Sequence, residues 1–197
     1  MKKIYLLFTI LLSLNMLPQS GTLDATFGNN GKVHTGFGES NSRANAVAVQ
    51  PDGKIIVGGT AYTANTVNSW EKDTNNLLLV RYNTDGSIDT SFGNDGKVMS
   101  DFYTFYNNYN YNSEVYSITL LPDGKILVYG GASSHAILAC FNADGSPDAG
   151  FGNHGKVGLS FTPVNGGNTL RIQPDGKIVV WECYGFNQRQ TISIPNL

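Results

Sequence analysis

Short runs in which apolar residues alternate with polar or small ones recur along this chain, and each run leads into a turn sequence. The runs cover residues 46–49, 115–120 and 169–172, and each is followed by Pro-Asp-Gly and a second apolar run. A period of two residues on both sides of a tight turn is typical of a β-hairpin. The pattern therefore predicts three hairpins built on the same plan.

The turn between the two runs has the same residues in every copy. Proline fixes φ at the first turn position, aspartate can accept a hydrogen bond from the backbone two residues later, and glycine adopts the positive φ that completes the turn. We therefore expect these acids and glycines to shape the backbone rather than to react. They are Asp52, Gly53, Asp123, Gly124, Asp175 and Gly176.

A second motif, Phe-Gly-Asn-x-Gly-Lys-Val, also occurs three times. Its first glycines are predicted to be structural turn residues as well, and they are Gly28, Gly93 and Gly152. A fourth strand is predicted after each copy of the motif, ending at Phe37, Phe102 or Phe161. Third strands are predicted at 77–82, 137–141 and, more weakly, 191–194.

Each repeat thus contains four short strands joined by tight turns, which is the pattern of one β-propeller blade. The predicted fold is all-β, a propeller-like array of three four-stranded antiparallel blades. The blades lie at about 44–102, 114–161 and 168–197, the last completed by 23–38. Three blades are fewer than the four to eight that usually close a ring. The array is therefore open, closed by the N-terminal strand, completed by other subunits, or part of a longer design.

Residues 1–20 have the organisation of a secretory signal peptide. Lys2 and Lys3 give a charged start, residues 4–14 an apolar stretch, and residues 18–20 a polar exit. The remaining domain, 21–197, is expected to be exported and either secreted or held at the cell surface, and a retained membrane anchor is the alternative. A net charge of −2 gives no electrostatic reason to expect a nucleic-acid partner.

Two longer motifs carry a resemblance to a known family. Leu-Asp-x-x-Phe-Gly-x-x-Gly-Lys-Val begins at Leu23, with Ile88 and Pro147 in place of the leucine in the later copies. Gln or Leu precedes each Pro-Asp-Gly-Lys-Ile. Together these motifs resemble the delta-60 repeat family over about residues 21–194. The resemblance implies a β-propeller of exported bacterial proteins and no established enzyme activity.

Most charged residues occupy positions fixed by the repeat, which argues against catalysis. Nine of the eleven aspartates and six of the nine lysines lie at such turns. One active site does not need its acids three times over, so no catalytic residue is predicted and the chain is expected not to be an enzyme. The alternative is a propeller-type hydrolase acting on glycans, which needs two facing carboxylates. The remaining acids and histidines are Asp73, Asp101, Glu39, Glu71, Glu114, Glu182, His34, His135 and His154.

The turn containing Asn83, Asp85 and Asp89, repeated at 142–148, has two interpretations. Oxygen side chains alternate ahead of a glycine, as a calcium loop requires. The turn lacks a bidentate glutamate at its far end, and hairpin turns choose the same residues for backbone reasons. We expect a structural turn with no metal and no cofactor, and calcium binding is the alternative.

The two cysteines, Cys140 and Cys183, lack the spacing of a metal site. We expect half-buried thiols on strands, and a disulfide between them is the alternative.

One segment, 103–112, is not explained by the repeat. It interleaves aromatic residues with asparagine, and tyrosine combines a flat apolar face with a polar tip. It is either a ligand surface or an insertion that covers the edge of a blade. The tyrosines of the candidate surface are Tyr103, Tyr106, Tyr109 and Tyr111. The predicted function is a non-catalytic exported binding or scaffold module. Its predicted partner is an unknown protein or a surface glycan, with self-association to complete a ring as a further option.

Overall fold

The computed structural model describes residues 21–36, 42–63, 74–100, 113–132, 135–159 and 169–181. The chain divides into two compact units, Met1–Val33 and His34–Leu197, and each is described by itself. The regular structure described in both is β-structure and turns. The part of the chain described here contains no helix that is long and apolar enough to cross a membrane.

The second unit contains two four-stranded antiparallel sheets in which each strand pairs with its neighbour in sequence. The first sheet consists of β1 (Ser42–Val49), β2 (Ile55–Thr63), β3 (Thr74–Tyr82) and β4 (Lys97–Ser100). The second sheet consists of β5 (Ser113–Leu120), β6 (Ile126–Ala132), β7 (His135–Phe141) and β8 (Lys156–Gly158). The alternating runs form β1, β5 and β9, the last of which belongs to the third sheet.

The third sheet has two strands among the described residues, β9 (Thr169–Ile172) and β10 (Ile178–Trp181). The strand predicted at 191–194 lies outside the described residues. An all-β fold of antiparallel four-stranded sheets is confirmed for the first two repeats, and none of the sheets formed by the described residues closes on itself.

The hairpin between β2 and β3 is longer than the sequence predicts. The sequence predicts a third strand that begins at residue 77, yet Ala61 pairs with Asn76 and Thr63 with Thr74. The strands therefore run on into polar residues that carry no apolar alternation. Backbone hydrogen bonding to the neighbouring strand, which is independent of side-chain polarity, extends this ladder.

The first two sheets pack face to face through the side chains that alternate inward. Ile56, Leu77 and Leu79 of the first sheet join Ile118 of the second in one buried cluster. The strand β5 contacts β1, β2 and β3. Gly58 on β2 makes this approach feasible, because a Cβ built there would lie 2.5 Å from Cδ1 of Ile118.

The second and third sheets pack through the opposite face of the second sheet. Leu127 and Tyr129 of β6 join Leu170 and Ile178 of the third sheet in a second buried cluster. Successive side chains on a strand point to opposite faces. On β6, Val128 therefore packs in the cluster with the first sheet, and Leu127 and Tyr129 pack in the cluster with the third. The period-two pattern of the sequence is thus used on both faces.

The residues described in the first unit, 21–33, form the turn of the Phe-Gly-Asn-x-Gly-Lys-Val motif. Asn29 N donates to Lys32 O, and Gly31 N donates to Phe27 O. The sequence predicts a strand continuing from this turn to Phe37, but the described residues 33–36 are not in a strand. In the second unit, the equivalent residues form β4 and β8 by pairing with β3 and β7.

Candidate functional site

The three Pro-Asp-Gly turns have one geometry. In each, Oδ1 of the aspartate accepts a hydrogen bond from the backbone N of the lysine two residues later, at 3.1 to 3.2 Å. The turn glycines have φ values of 85°, 87° and 80°. These residues are Asp52, Gly53, Asp123, Gly124, Asp175 and Gly176. Each carboxylate therefore holds its own turn.

The three Phe-Gly-Asn-x-Gly-Lys-Val turns also share one geometry. Gly28, Gly93 and Gly152 have φ between 55° and 58°. At Gly93, a Cβ would lie 2.2 Å from the carbonyl oxygen of Lys97. A side chain at this position would therefore push the turn open, which explains the glycine in physical terms.

A buried ion cluster follows the third strand of the first sheet. The Oδ2 atom of Asp89 accepts from Lys54 Nζ at 2.8 Å and from Arg81 Nε at 2.7 Å. Its Oδ1 accepts from Ser91 Oγ at 2.7 Å. The hydrogen bond from Lys54, reinforced by the one from Ser91, holds the pKa of Asp89 well below its ordinary value. Asp89 is thus a permanent anion at neutral pH.

Arg81 connects this cluster to the second sheet. Its guanidinium lies 4.7 Å from the ring centre of Phe92, and Nη1 donates to the carbonyl oxygen of Ala143 at 2.6 Å. Close by, Gly93 N donates to Asp144 O at 2.7 Å. Sequence reasoning missed Arg81. The signal was a single charge at the end of the apolar run of β3, where a buried guanidinium needs an anion.

The second sheet repeats the cluster with two substitutions, one of which places Gly150 at the repeat position of Ser91. Lys125 Nζ lies 3.0 Å from Asp148 Oδ2, and Cys140 stands at the repeat position of Arg81. The hydrogen bond from Lys125 lowers the pKa of Asp148. Burial raises the pKa of the Cys140 thiol to about 12. Cys140 is therefore a buried protonated thiol with little nucleophilic character, and Cys183 lies outside the described residues.

The turn considered for calcium uses its oxygens internally. Asp85 Oδ1 accepts from Ser87 N and Ser87 Oγ at 2.9 and 2.7 Å, while Asn83 Nδ2 donates to Ser87 Oγ. The third candidate ligand, Asp89, already faces two cationic side chains. In the described ranges, no group of three or more His, Cys, Asp or Glu side chains is placed to hold a metal ion. These contacts favour the structural interpretation.

On the face turned away from the second sheet, Leu78 and Val80 of β3 are buried, whereas β1 and β4 expose apolar side chains. We call Val47, Val49 and Met99 the outer face. The relative exposure of Val47 is 66 % and that of Val49 is 63 %, and Met99 is exposed as well. At the repeat position of Val47, Ile118 on β5 is only 8 % exposed. Sequence reasoning could not detect this difference, because both strands have the same alternation.

Most of the remaining candidate residues fall outside the described ranges. Tyr103, Tyr106, Tyr109 and Tyr111 lie outside the described residues, as do Asp73, Asp101, Glu39, Glu71 and Glu182. Glu114 accepts a hydrogen bond from Asn45, whose side chain also donates to Val115 O and so links β1 to β5. His154 shares a hydrogen bond with Asn153.

Comparison with known families supports a β-propeller repeat. The chain is similar to the family described as "Domain of unknown function (DUF5122) beta-propeller", which matches residues 50–92 and 121–151. Both ranges start at a Pro-Asp-Gly turn and continue through the second and third strands to the Phe-Gly motif. No curated protein matches the chain.

Proposed function

We propose that this β-propeller repeat chain is a non-catalytic exported module, built from delta-60-type repeats, that binds a partner or serves as a scaffold at or outside the cell surface. The proposal depends most on one observation, that the repeated carboxylates are engaged within their own turns. Export is inferred from the sequence of residues 1–20 alone.

The pKa shifts support a structural role for these acids. A general acid that protonates a glycosidic oxygen needs a raised pKa at neutral pH. Several described aspartates have a pKa shifted in the opposite direction, chiefly because their oxygens accept hydrogen bonds from a nearby hydroxyl or lysine. They are Asp24, Asp85, Asp89, Asp144, Asp148 and Asp175. Such groups remain ionised and accept hydrogen bonds.

A ligand surface is proposed at the tyrosine-rich segment on grounds of composition. Rigid aromatic faces beside amide side chains are suited to sugars and peptides. The experiment is a binding screen against bacterial surface polysaccharides, followed by replacement of Tyr103, Tyr106, Tyr109 and Tyr111 with serine. Matched phenylalanine replacements keep the ring faces. We expect the serine variant to lose binding and the phenylalanine variant to keep at least part of it.

The same polysaccharides test the non-catalytic assignment. Each is incubated with the protein, and the release of reducing ends is measured over a day. We expect no release above the rate without protein. Turnover that disappears when a single carboxylate is replaced by its amide would overturn the proposal and establish a hydrolase.

A further inference from the structure

The three sheets offer two complementary faces, and the chain uses this pairing twice. Counting from the Pro-Asp-Gly turn, Val47, Ile118 and Leu170 occupy the same place on β1, β5 and β9. Ile118 is buried in the cluster shared with the first sheet, and Leu170 in the cluster shared with the second. Val47 occupies the position that a preceding sheet covers in both other repeats, yet it is 66 % exposed.

The third sheet has the matching face. Ile56, Leu127 and Val179 occupy the same place on the second strand of each hairpin. Ile56 packs in the cluster with the second sheet, and Leu127 in the cluster with the third. Val179 alternates with Ile178 and Val180, which face the second sheet, so it points away from that sheet. The chain therefore has one half of the repeating interface on the third sheet and the other half on the outer face.

The third sheet and the outer face also have matching hydrogen-bonding groups. Between the second and third sheets, Ser117 Oγ accepts from Leu170 N and Thr119 Oγ1 donates to Leu170 O, each at 3.2 Å. The residues at these two positions on β9 are Thr169 and Arg171, again an acceptor and a donor, and in the single chain Arg171 Nη1 donates to Thr169 Oγ1 and to Leu170 O. Antiparallel pairing turns the backbone N and O of Val47 away from β2, as it does for Leu170 in the third sheet.

We propose that the outer face of one copy of this chain binds the third sheet of a second copy. Val179 then covers Val47 and Val49, and Thr169 and Arg171 reach the backbone of Val47. On β1 the contact repeats the packing that Ile118 and Leu170 already have, while Leu78 and Val80 of β3 on the same face are already buried within the chain. The contact is head to tail, so it builds a closed ring or an open row of subunits. This inference rests on the proposed scaffold function and names its partner.

The test is sedimentation velocity of the full chain over a concentration series. We expect the wild type to associate with increasing concentration. The variants V47D/V49D and V179D should each weaken self-association by at least about tenfold, because they bury an unpaired charge in an apolar contact. The charge-matched controls T90D/A149D and T90D alter exposed turn residues and should associate like the wild type. Circular dichroism checks that each variant keeps its β-structure.

Mixing the two blocked variants gives the decisive result. V47D/V49D retains its third-sheet face and V179D retains its outer face, so the mixture should form a one-to-one pair and no larger species. A wild type that is monomeric at every concentration, blocked variants that associate like the wild type, or a mixture that fails to pair would each overturn the inference. Polysaccharide turnover would overturn the proposed function without changing assembly, so the two failures are distinguishable.

Discussion

The first and second sheets are two copies of one plan in different surroundings. Both place a turn lysine against the aspartate that follows the third strand, and these pairs are Lys54 with Asp89 and Lys125 with Asp148. In the first sheet Arg81 joins the pair and reaches the second sheet, whereas Cys140 fills the same place in the second sheet. The lysine–aspartate pair is present in both sheets and maintains the turn. The residue that differs, Arg81 or Cys140, determines whether the turn is hydrogen-bonded to the next sheet.

The two sheets also differ in what covers their faces. Ile118 is 8 % exposed because the first sheet packs on it, while Val47 at the same repeat position is 66 % exposed. One alternating pattern therefore produces a core residue in one copy and a surface residue in the other. The place of a repeat along the chain, and not the repeated sequence itself, decides whether this residue is buried or exposed.

The largest expected effect tests this difference in coverage. Ile118→Ala should lower the free energy of unfolding by roughly 2–5 kcal/mol, because it removes buried methyl groups and leaves a cavity. Val47→Ala at the equivalent position should change it by less than about 0.5 kcal/mol. Urea unfolding of both variants at low protein concentration is the measurement. Equal losses would contradict the comparison.

The next effect concerns the link between the sheets. Arg81→Met should lower the free energy of unfolding by roughly 1–3 kcal/mol, because Asp89 and the Ala143 carbonyl both lose a charged donor. Asp89 keeps Lys54, which limits the loss. Arg43→Met is the matched control, since Arg43 is exposed on β1, and it should have little effect. If Arg81→Met and Arg43→Met have the same free energy of unfolding, the contacts of Arg81 with the second sheet do not contribute to stability.

Acid unfolding distinguishes the two clusters further. The pKa of Asp89 and that of Asp148 are both lowered in the folded protein, so each adds stability above the ordinary aspartate pKa, and this contribution is lost as pH falls through the folded value. Asp89→Asn should flatten the fall in stability below about pH 4. Asp148→Asn should flatten it less, because Asp148 is the more exposed of the two. A steeper acid limb in either variant would contradict this assignment.

The smallest effect should be equal in the two sheets. Asp95 and His154 have φ values of 51° and 52°, a region that L residues adopt at a cost. Replacing either with glycine should raise the free energy of unfolding by about 0.5 kcal/mol, because relief of backbone strain exceeds the added chain entropy. Thermal unfolding measures both. A gain in only one sheet would show that the two turns are not equivalent.

Much of the local structure is predictable from the sequence. The turns at Asp52, Asp123 and Asp175 depend on hydrogen bonds between residues two apart and on a glycine with positive φ, so the motif contains all the necessary information. The paired strands β1–β2 and β5–β6 follow from alternation on both sides of these turns. The ion cluster is only partly predictable, since Arg81 lies 8 residues before Asp89 but meets Ala143 62 residues away.

The sequence by itself determined the repeat, the turns and the antiparallel strands, because these depend on contacts between residues close along the chain. Only the tertiary structure decided that residues 33–36 are not in a strand, that Arg81 joins two sheets, and that Val47 is exposed while Ile118 is buried. The last two outcomes depend on which sheet is adjacent in space. A repeated sequence carries the same local pattern in every copy and therefore does not encode that difference.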